Sequence, residues 1–183
     1  FHQSQAKGRV SSGGNRSGKT WSGCREDMWW LCDRHPYRET PKPPVYGRII
    51  SPETMAVTKD DPTQATKAML QHWIPYWDLK GGSWTKAYSP TTSTLHLANG
   101  SAIDFLSHDQ DLSKQAGVSR HFVHFDEEPP RRKFDEALMR LLDKGGVVLS
   151  EYPPGVPPLP YNFPARNRII SGLSRSVVVA QAP

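Results

Sequence analysis

The chain has 183 residues, 36% of them hydrophobic, with a formal net charge of +5 at pH 7 and a sequence pI near 9.3. This size suffices for one domain with a buried core, and no stretch approaches the ~20 apolar residues that cross a bilayer, so a membrane partner is not expected. Two cysteines are too few for a disulfide scaffold and fit a reducing, intracellular setting, while the positive charge favours a polyanionic partner.

The first twelve residues predict a short strand and a possible base-reading segment. Arg9 to Ser12 is a weak strand by composition, placed to lead into the glycine-rich loop that follows. Phe1, Gln3 and Gln5 could read adenine, by ring stacking and by amide hydrogen bonds, and a frayed terminus is the alternative. Because the first residue is Phe1 and not Met, we expect that the natural start is missing.

A glycine-rich loop fits the phosphate-binding pattern G-x-x-x-x-G-K-[ST]. Its glycines let backbone N–H groups converge on an anion, and the helix that follows adds its positive end. Lys19 is predicted to contact the β- and γ-phosphates, and the Thr20 hydroxyl to bind Mg²⁺. The cofactors expected here are therefore ATP and Mg²⁺, and the nucleotide-binding residues are Gly13, Gly14, Asn15, Arg16, Ser17, Gly18, Lys19 and Thr20, with Gln3 added from the preceding segment.

The first helix is predicted from Lys19 to about Arg34, because apolar residues including Trp21, Cys24 and Met28 recur at helical spacing. Pro36 ends it. Cys24, Cys32 and His35 give C-x₇-C-x₂-H, but zinc requires a fourth ligand and tighter spacing, so no zinc site is expected from this set.

The middle of the chain predicts a strand at 45–51, a helix at 62–73 and a turn at 81–83. Alternating apolar residues from Thr94 to Leu106 surround Asn99-Gly100, which predicts a β-hairpin with a type I′ turn. A polar loop follows at 107–111.

An apolar run from His121 to Phe125 predicts a buried strand of a parallel sheet, and it ends in acids. Ligands of open α/β sheets bind at the carboxyl ends of strands, so Asp126 is expected to hold Mg²⁺ together with Thr20. Glu127 is predicted to orient and deprotonate the attacking water. The alternative is an ordinary acidic cluster on the surface.

The remaining elements are a helix at 134–142 and a strand at 147–150. The basic run 131–133 is expected to be the solvated start of the helix, with phosphate contact as the alternative. The order of elements predicts an α/β three-layer sandwich with a mainly parallel sheet and an inserted hairpin, in a domain spanning residues 1–152. Residues 153–183 are Pro-rich, and we expect them to be a poorly ordered tail.

Together these motifs resemble the N-terminal ATPase domain of the large terminase subunit of tailed bacteriophages. The resemblance lies in the glycine-rich loop, in the hairpin with its Asp109-Gln110-Asp111 loop, and in Phe125 to Pro129, and it covers about residues 1–153. It implies an additional-strand, RecA-like P-loop fold, a Mg²⁺-dependent ATPase with Glu127 as catalytic residue, and Arg16 or Arg9 as a sensor of the γ-phosphate.

The resemblance further implies a motor that packages double-stranded viral DNA, acting as a homo-oligomeric ring with a portal protein and a small terminase subunit in the cytoplasm of an infected bacterium. Three features depart from that family. Tyr152 stands where Thr is usual, the tail from Gly155 has no counterpart there and could result from a frameshift, and the nuclease domain is absent. A helicase-like ATPase, or a nucleotide-binding module without turnover, are the alternatives.

Overall fold

The computed structural model describes residues 2–5, 8–10, 18–52, 64–111, 119–127, 129–142 and 147–150. Within these ranges the strands form one sheet with the order β1-β7-β6-β2-β5-β4-β3. Their bounds are β1 Gly8–Val10, β2 Tyr46–Ser51, β3 Tyr88–Ser89, β4 Thr94–His96, β5 Ala102–Ser107, β6 Phe122–Phe125 and β7 Val147–Ser150. The helices are α1 Lys19–Leu31, α2 Gln64–Trp73, α3 Trp84–Ala87 and α4 Arg131–Leu142, and short 3₁₀ turns lie at Tyr76–Asp78 and Lys80–Gly82.

The sheet is mixed and mainly parallel, as the order of elements predicts. Strands β1, β7, β6, β2 and β5 pair in parallel, and β5-β4 and β4-β3 pair antiparallel. Parallel strands need crossover connections, which the helices between them supply. The carboxyl ends of β6, β2 and β5 therefore lie side by side at one edge, with Ile50 opposite both Phe125 and Leu106.

The two faces of the sheet bury separate apolar clusters, because successive side chains of a strand point to opposite faces. Ile49, Phe105 and Phe122 lie in a cluster with residues of α1 and α2. Ile50 and Phe125 lie in a second cluster with residues of α4. Helices thus cover both faces, and the predicted α/β layering is confirmed.

Most predicted elements are present with small shifts at their ends. Helix α1 ends at Leu31 and not near Arg34, and Asp33 just beyond it has a left-handed φ of 53°. Trp21 was predicted on the buried face of α1, but 46% of it is exposed. Its ring lies 4.7 Å from the ring of Trp73 on α2, at the outer edge of the contact between the two helices.

The predicted hairpin is confirmed, but its turn type is not. Gly100 N–H donates to the Leu97 carbonyl over 3.2 Å, which places Ala98 and Asn99 at the centre of the turn. Gly100 has a φ of 86°, and Asn99 is not among the residues with positive φ. A type I turn followed by a left-handed glycine therefore replaces the expected type I′ turn. The Asn99 amide explains the difference, because it donates to the Leu31 carbonyl at the end of α1 over 2.8 Å.

None of the helices in the described part of the chain has the length and apolarity needed to span a bilayer. The predicted tail at 153–183 and Tyr152 lie outside the described residues. The division of the chain at residue 152 stays a prediction.

Candidate functional site

The start of α1 meets the end of β6 at the carboxyl edge of the sheet. Thr20 Oγ1, in the first turn of α1, donates a hydrogen bond of 2.8 Å to Asp126 Oδ1, just after β6. The two residues are 106 positions apart in the chain. The structure thus brings together the hydroxyl and the carboxylate that the sequence predicts as Mg²⁺ ligands.

Asp126 is buried, with 2% of its surface exposed, so the alternative of a surface acidic cluster is wrong for this residue. Its second oxygen, Oδ2, is buried and has no hydrogen-bond partner among the described residues. A buried polar atom of this kind is costly unless a ligand or ion satisfies it. Together with the Thr20 hydroxyl, it offers the oxygen donors that Mg²⁺ prefers, and the residues present therefore fit this ion.

Glu127 follows Asp126 in an unusual backbone conformation. Its φ is 67°, in the left-handed region that a residue with a side chain rarely adopts. Partial burial raises the pKa of Glu127, the Asp126 charge raises it further, and the Lys19 ammonium opposes both. Lys19 and Glu127 are therefore close enough to interact, as their predicted roles require.

Helix α1 begins at Lys19 after Gly18, which has a left-handed φ of 81°. A Cβ on Gly18 would meet no atom within 4 Å, so glycine is required here by its backbone angle and not by space. The preceding loop residues Gly13, Gly14, Asn15, Arg16 and Ser17 lie outside the described residues. Their phosphate-binding roles, and the role of Arg16 at the γ-phosphate, stay predictions.

The N-terminal segment at 2–5 is held against α1. His2 Nδ1 lies 2.7 Å from Glu26 Oε2, and His2 Nε2 lies 3.0 Å from the Ser22 hydroxyl. Gln5 donates to the Tyr37 carbonyl over 2.7 Å. These contacts favour a fixed segment over a frayed terminus. Gln3 is exposed, and its adenine-reading role stays a prediction.

The basic run at the start of α4 divides into two kinds of residue. Arg131 and Arg132 are exposed, as predicted for a solvated helix start. Lys133 is buried, with 6% of its surface exposed, and the prediction is wrong for it. Its ammonium donates to the Ser107 carbonyl over 3.1 Å and to the Gln110 carbonyl, so it fastens the loop after β5. Burial lowers the pKa of Lys133, against the charges of nearby acids.

A second polar cluster lies behind the Thr20–Asp126 contact, and no motif of the sequence predicts it. Asp27 on α1 and His124 on β6 are joined by a buried contact of 2.7 Å between Oδ2 and Nδ1. Cys24 lies next to them, and one donor atom from each residue falls within 4.8 Å of the others. Cys24 is thus the member of the cysteine–histidine set that belongs to a group of three metal-ligating side chains among the described residues, whereas His35 contacts the Glu26 carboxylate.

The sequence comparisons and the structure comparison point to different proteins. A family model described as DNA recombination-mediator protein A matches residues 97–183. Protein Smf of Escherichia coli is 64% identical over 104 residues, covering 54% of this chain and 26% of that protein. The DNA processing protein DprA of Streptococcus pneumoniae is 52% identical over 50 residues, covering 27% of this chain and 18% of that protein. The chain thus spans about a quarter or less of the length of these relatives.

A solved structure that resembles the chain is titled as the ATPase domain of a large terminase from a Thermus phage. It is 20% identical, covers 84% of this chain and 62% of that chain, and has a TM-score of 0.57. At this identity the likeness shows the fold alone.

The terminase resemblance is therefore corrected. The family model and the curated relatives are DNA-processing proteins, which overturns viral DNA packaging, the portal and small-terminase partners and the packaging ring on double-stranded DNA. The infected-host setting came with that resemblance and has no support from these relatives. The tail from Gly155, which has no counterpart in terminases, lies within the matched residues 97–183. The motifs misled because the glycine-rich loop and the acidic strand are patterns that many families share.

Proposed function

We propose that this chain binds ATP with Mg²⁺ at the carboxyl edge of its sheet and hydrolyses it, and that the reaction serves DNA processing. The observation that carries the first part is the 2.8 Å hydrogen bond from Thr20 to Asp126, beside a buried carboxylate oxygen that has no partner. The family match covers residues 97–183, which include Asp126 but neither the glycine-rich loop nor Thr20. The nucleotide proposal therefore rests on the loop motif and on the geometry of the site, and not on the family match.

The strand order supports a RecA-like P-loop class with an additional strand. Strand β7 lies between β1, which leads towards the glycine-rich loop, and β6, which ends in the acids. In that class an extra strand separates the strand before the phosphate loop from the acidic strand. The fold likeness to a protein titled as an ATPase domain also supports this class.

Each residue of the site has a distinct task in the proposed reaction. Lys19 would neutralise charge on the β- and γ-phosphates, while Gly18 and the start of α1 present backbone N–H groups to them. Thr20 and Asp126 would hold Mg²⁺, which when bound neutralises charge on the phosphate oxygens.

Glu127 would accept a proton from the attacking water. Partial burial and the neighbouring Asp126 raise the pKa of Glu127, which makes its carboxylate a stronger base than that of an exposed glutamate. The left-handed φ of 67° fixes the direction in which this side chain leaves the strand. Positioning and charge neutralisation account for most of the expected rate gain.

The DNA part of the proposal rests on the relatives. Their names describe DNA processing, and the matching family model is described as a recombination mediator. The net charge of +5 agrees with a polyanionic partner. Contacts to the DNA backbone would make binding weaken steeply as salt rises.

The test of turnover is Mg²⁺-dependent ATP hydrolysis by the full chain, with nucleotide binding measured separately. Lys19→Ala should lose binding, and Glu127→Gln should keep binding while its rate falls by ~10²- to 10⁴-fold. Glu39→Gln, at an exposed position beyond α1, is the matched control and should behave as the wild type. A folded chain that neither binds nor hydrolyses ATP would end the nucleotide proposal.

The test of the DNA role is separate from the test of turnover. Fluorescence anisotropy with labelled single- and double-stranded oligonucleotides, at several salt concentrations, should show salt-dependent binding, and one of the two should change the ATPase rate. Hydrolysis without any effect of DNA would remove the DNA role and leave the ATPase. DNA binding that is equal with and without nucleotide would separate the two activities.

A further inference from the structure

A cluster of three metal-ligating side chains joins α1 to β6 beneath the candidate nucleotide site. Its members are Cys24, Asp27 and His124, and all three are buried. Cys24 and Asp27 are three residues apart on α1, so they lie on the same face of the helix. That face is turned towards the strand that carries His124.

The backbone of α1 leaves room for the histidine ring. Gly23 lies against His124, and a Cβ at Gly23 would come within 2.3 Å of the ring atoms Cε1 and Nε2. Only a residue without a side chain allows this approach. The imidazole therefore reaches the helix, where its Nδ1 lies 2.7 Å from Asp27 Oδ2.

The cluster contains a buried carboxylate oxygen that has no hydrogen-bond partner among the described residues. Asp27 is fully buried, and its Oδ1 has no hydrogen-bond partner. The Cys24 thiol makes only a long contact of 3.9 Å to the Thr66 carbonyl. A buried carboxylate oxygen and a thiol are thus available next to an imidazole.

We propose that Cys24, Asp27 and His124 form a binding site for a zinc-class transition-metal ion, distinct from the Mg²⁺ site. Thiolate, imidazole and carboxylate are the ligands that zinc takes in proteins. Bond lengths of ~2.0–2.3 Å place the ligand atoms of a tetrahedral zinc about 3.4–3.7 Å apart. Here the three donor atoms lie within 4.8 Å of one another, so shifts of ~1 Å would place three ligands of a tetrahedral zinc, and a water molecule would take the fourth position.

A bound ion would clamp the helix that carries Thr20 to the strand that carries Asp126. His124 precedes Asp126 by two positions and lies on the same face of the sheet. The Mg²⁺ site uses a hydroxyl and a carboxylate, whereas this cluster adds sulfur and nitrogen, so the two sites select different ions. The metal proposal does not depend on nucleotide binding.

The test uses Co²⁺ as a spectroscopic substitute for zinc, titrated into the full chain after treatment with a chelator. One equivalent should produce a near-ultraviolet thiolate-to-cobalt absorption, displaced by Zn²⁺ and not by Mg²⁺. Cys24→Ser should lose this absorption, and Asp27→Asn should weaken Co²⁺ binding by at least ~10-fold. Cys32→Ser is the matched control, because Cys32 is also a buried free cysteine and should leave the absorption intact.

Two further measurements keep the result clear if a variant unfolds. X-ray absorption at the zinc edge of the wild type should show one sulfur in the ligand shell, and a shell without sulfur would overturn the site. Thr20→Val should leave the cobalt absorption unchanged, since a loss would place the ion at the Mg²⁺ site. The absence of the absorption in a folded wild type, or its loss in Cys32→Ser and not in Cys24→Ser, would also overturn the proposal.

Discussion

Replacing Gly23 by alanine tests how closely α1 lies against β6. Alanine favours a helix over glycine by ~1 kcal/mol, so Gly23→Ala would stabilise α1 if the position were open. In the structure the added Cβ would lie 2.3 Å from two atoms of the His124 ring. An ordinary contact would require a separation more than 1 Å larger.

The ring cannot move away freely, because His124 Nδ1 is held by Asp27 Oδ2 at 2.7 Å inside the core. Overpacking of a core typically costs about 1–3 kcal/mol. Subtracting the helical gain of ~1 kcal/mol leaves an expected net destabilisation of about 0–2 kcal/mol. The shift of β6 should also weaken nucleotide binding, because the contact from Thr20 to Asp126 depends on the same spacing.

Urea unfolding of the wild type and Gly23→Ala gives the free-energy difference. Ala68→Gly, at an exposed position of α2, measures the helix preference for alanine within the same chain and calibrates the expected gain. If Gly23→Ala is more stable than the wild type by the amount that Ala68→Gly loses, the ring of His124 does not lie against Gly23. The close contact between α1 and β6 would then be refuted.

Three other changes have expected outcomes that the structure sets. Glu127→Gly should raise the free energy of unfolding by about 1 kcal/mol while turnover is lost, because glycine tolerates a φ of 67°; equal stability would argue against backbone strain. Asp104→Asn should cost about 3–5 kcal/mol at pH 7, because Arg48 would keep a buried charge without its carboxylate at 2.7 Å. Burial alone would raise the pKa of Asp104, but hydrogen bonds and charge from two arginines, Arg48 foremost, hold it below its usual range. The stabilisation from the Asp104 carboxylate is therefore fully present above the pKa of ~3.9 that Asp104 has in the unfolded chain, and it is lost as pH falls through its lower pKa in the folded chain. The urea midpoints of the wild type and Asp104→Asn should converge as the pH is lowered through this range. Asn99→Ala should lower stability by about 1–2 kcal/mol, since the Leu31 carbonyl loses its donor, and a midpoint within error of the wild type would contradict that contact.

The sequence was most informative where one local rule decides the outcome. Strand β7 has the predicted bounds, and the alternation around Asn99 predicts the hairpin, which is present with Leu95 opposite Ile103. The turn type failed because a distant helix end recruits the Asn99 amide, and no local pattern shows that contact. Propensity and periodicity describe neighbours in the chain, whereas such a contact joins residues 68 positions apart.

The sequence motifs predicted which residues meet at the candidate site, but they did not predict the family that the chain resembles. Thr20 and Asp126 meet as the two motifs predict, and Mg²⁺ binding, which stays a prediction, would restrict the residue types at both positions. The same restriction means that unrelated families share the pattern, so it could not separate a terminase from other proteins. The Asp27–His124 contact was missed because a histidine in an apolar strand has no partner visible in the sequence; the spacing of Cys24 and Asp27 was the available signal.

The two ends of the central strands differ in how well their polar groups are satisfied. At the amino ends, the Tyr46 N–H donates to His121 Nδ1 and the Val45 N–H donates to the Ser101 hydroxyl, both at 2.9 Å. At the carboxyl ends, Ser51 Oγ and Asp126 Oδ2 are buried without partners, on adjacent strands and on the same face of the sheet.

Unsatisfied buried polar atoms cost about 1–3 kcal/mol each, so a fold retains them only where something else is gained. Among the described residues, others occur at Asp27 and Trp73, which are not at strand ends, and at His108, just after β5. The atoms of Ser51, Asp126 and His108 lie at the carboxyl ends of strands, where ligands of open α/β sheets bind. The proposed ligand would supply the missing partners and so stabilise the fold at this edge, whereas no ligand is proposed at the amino ends, where the polar groups have partners within the chain.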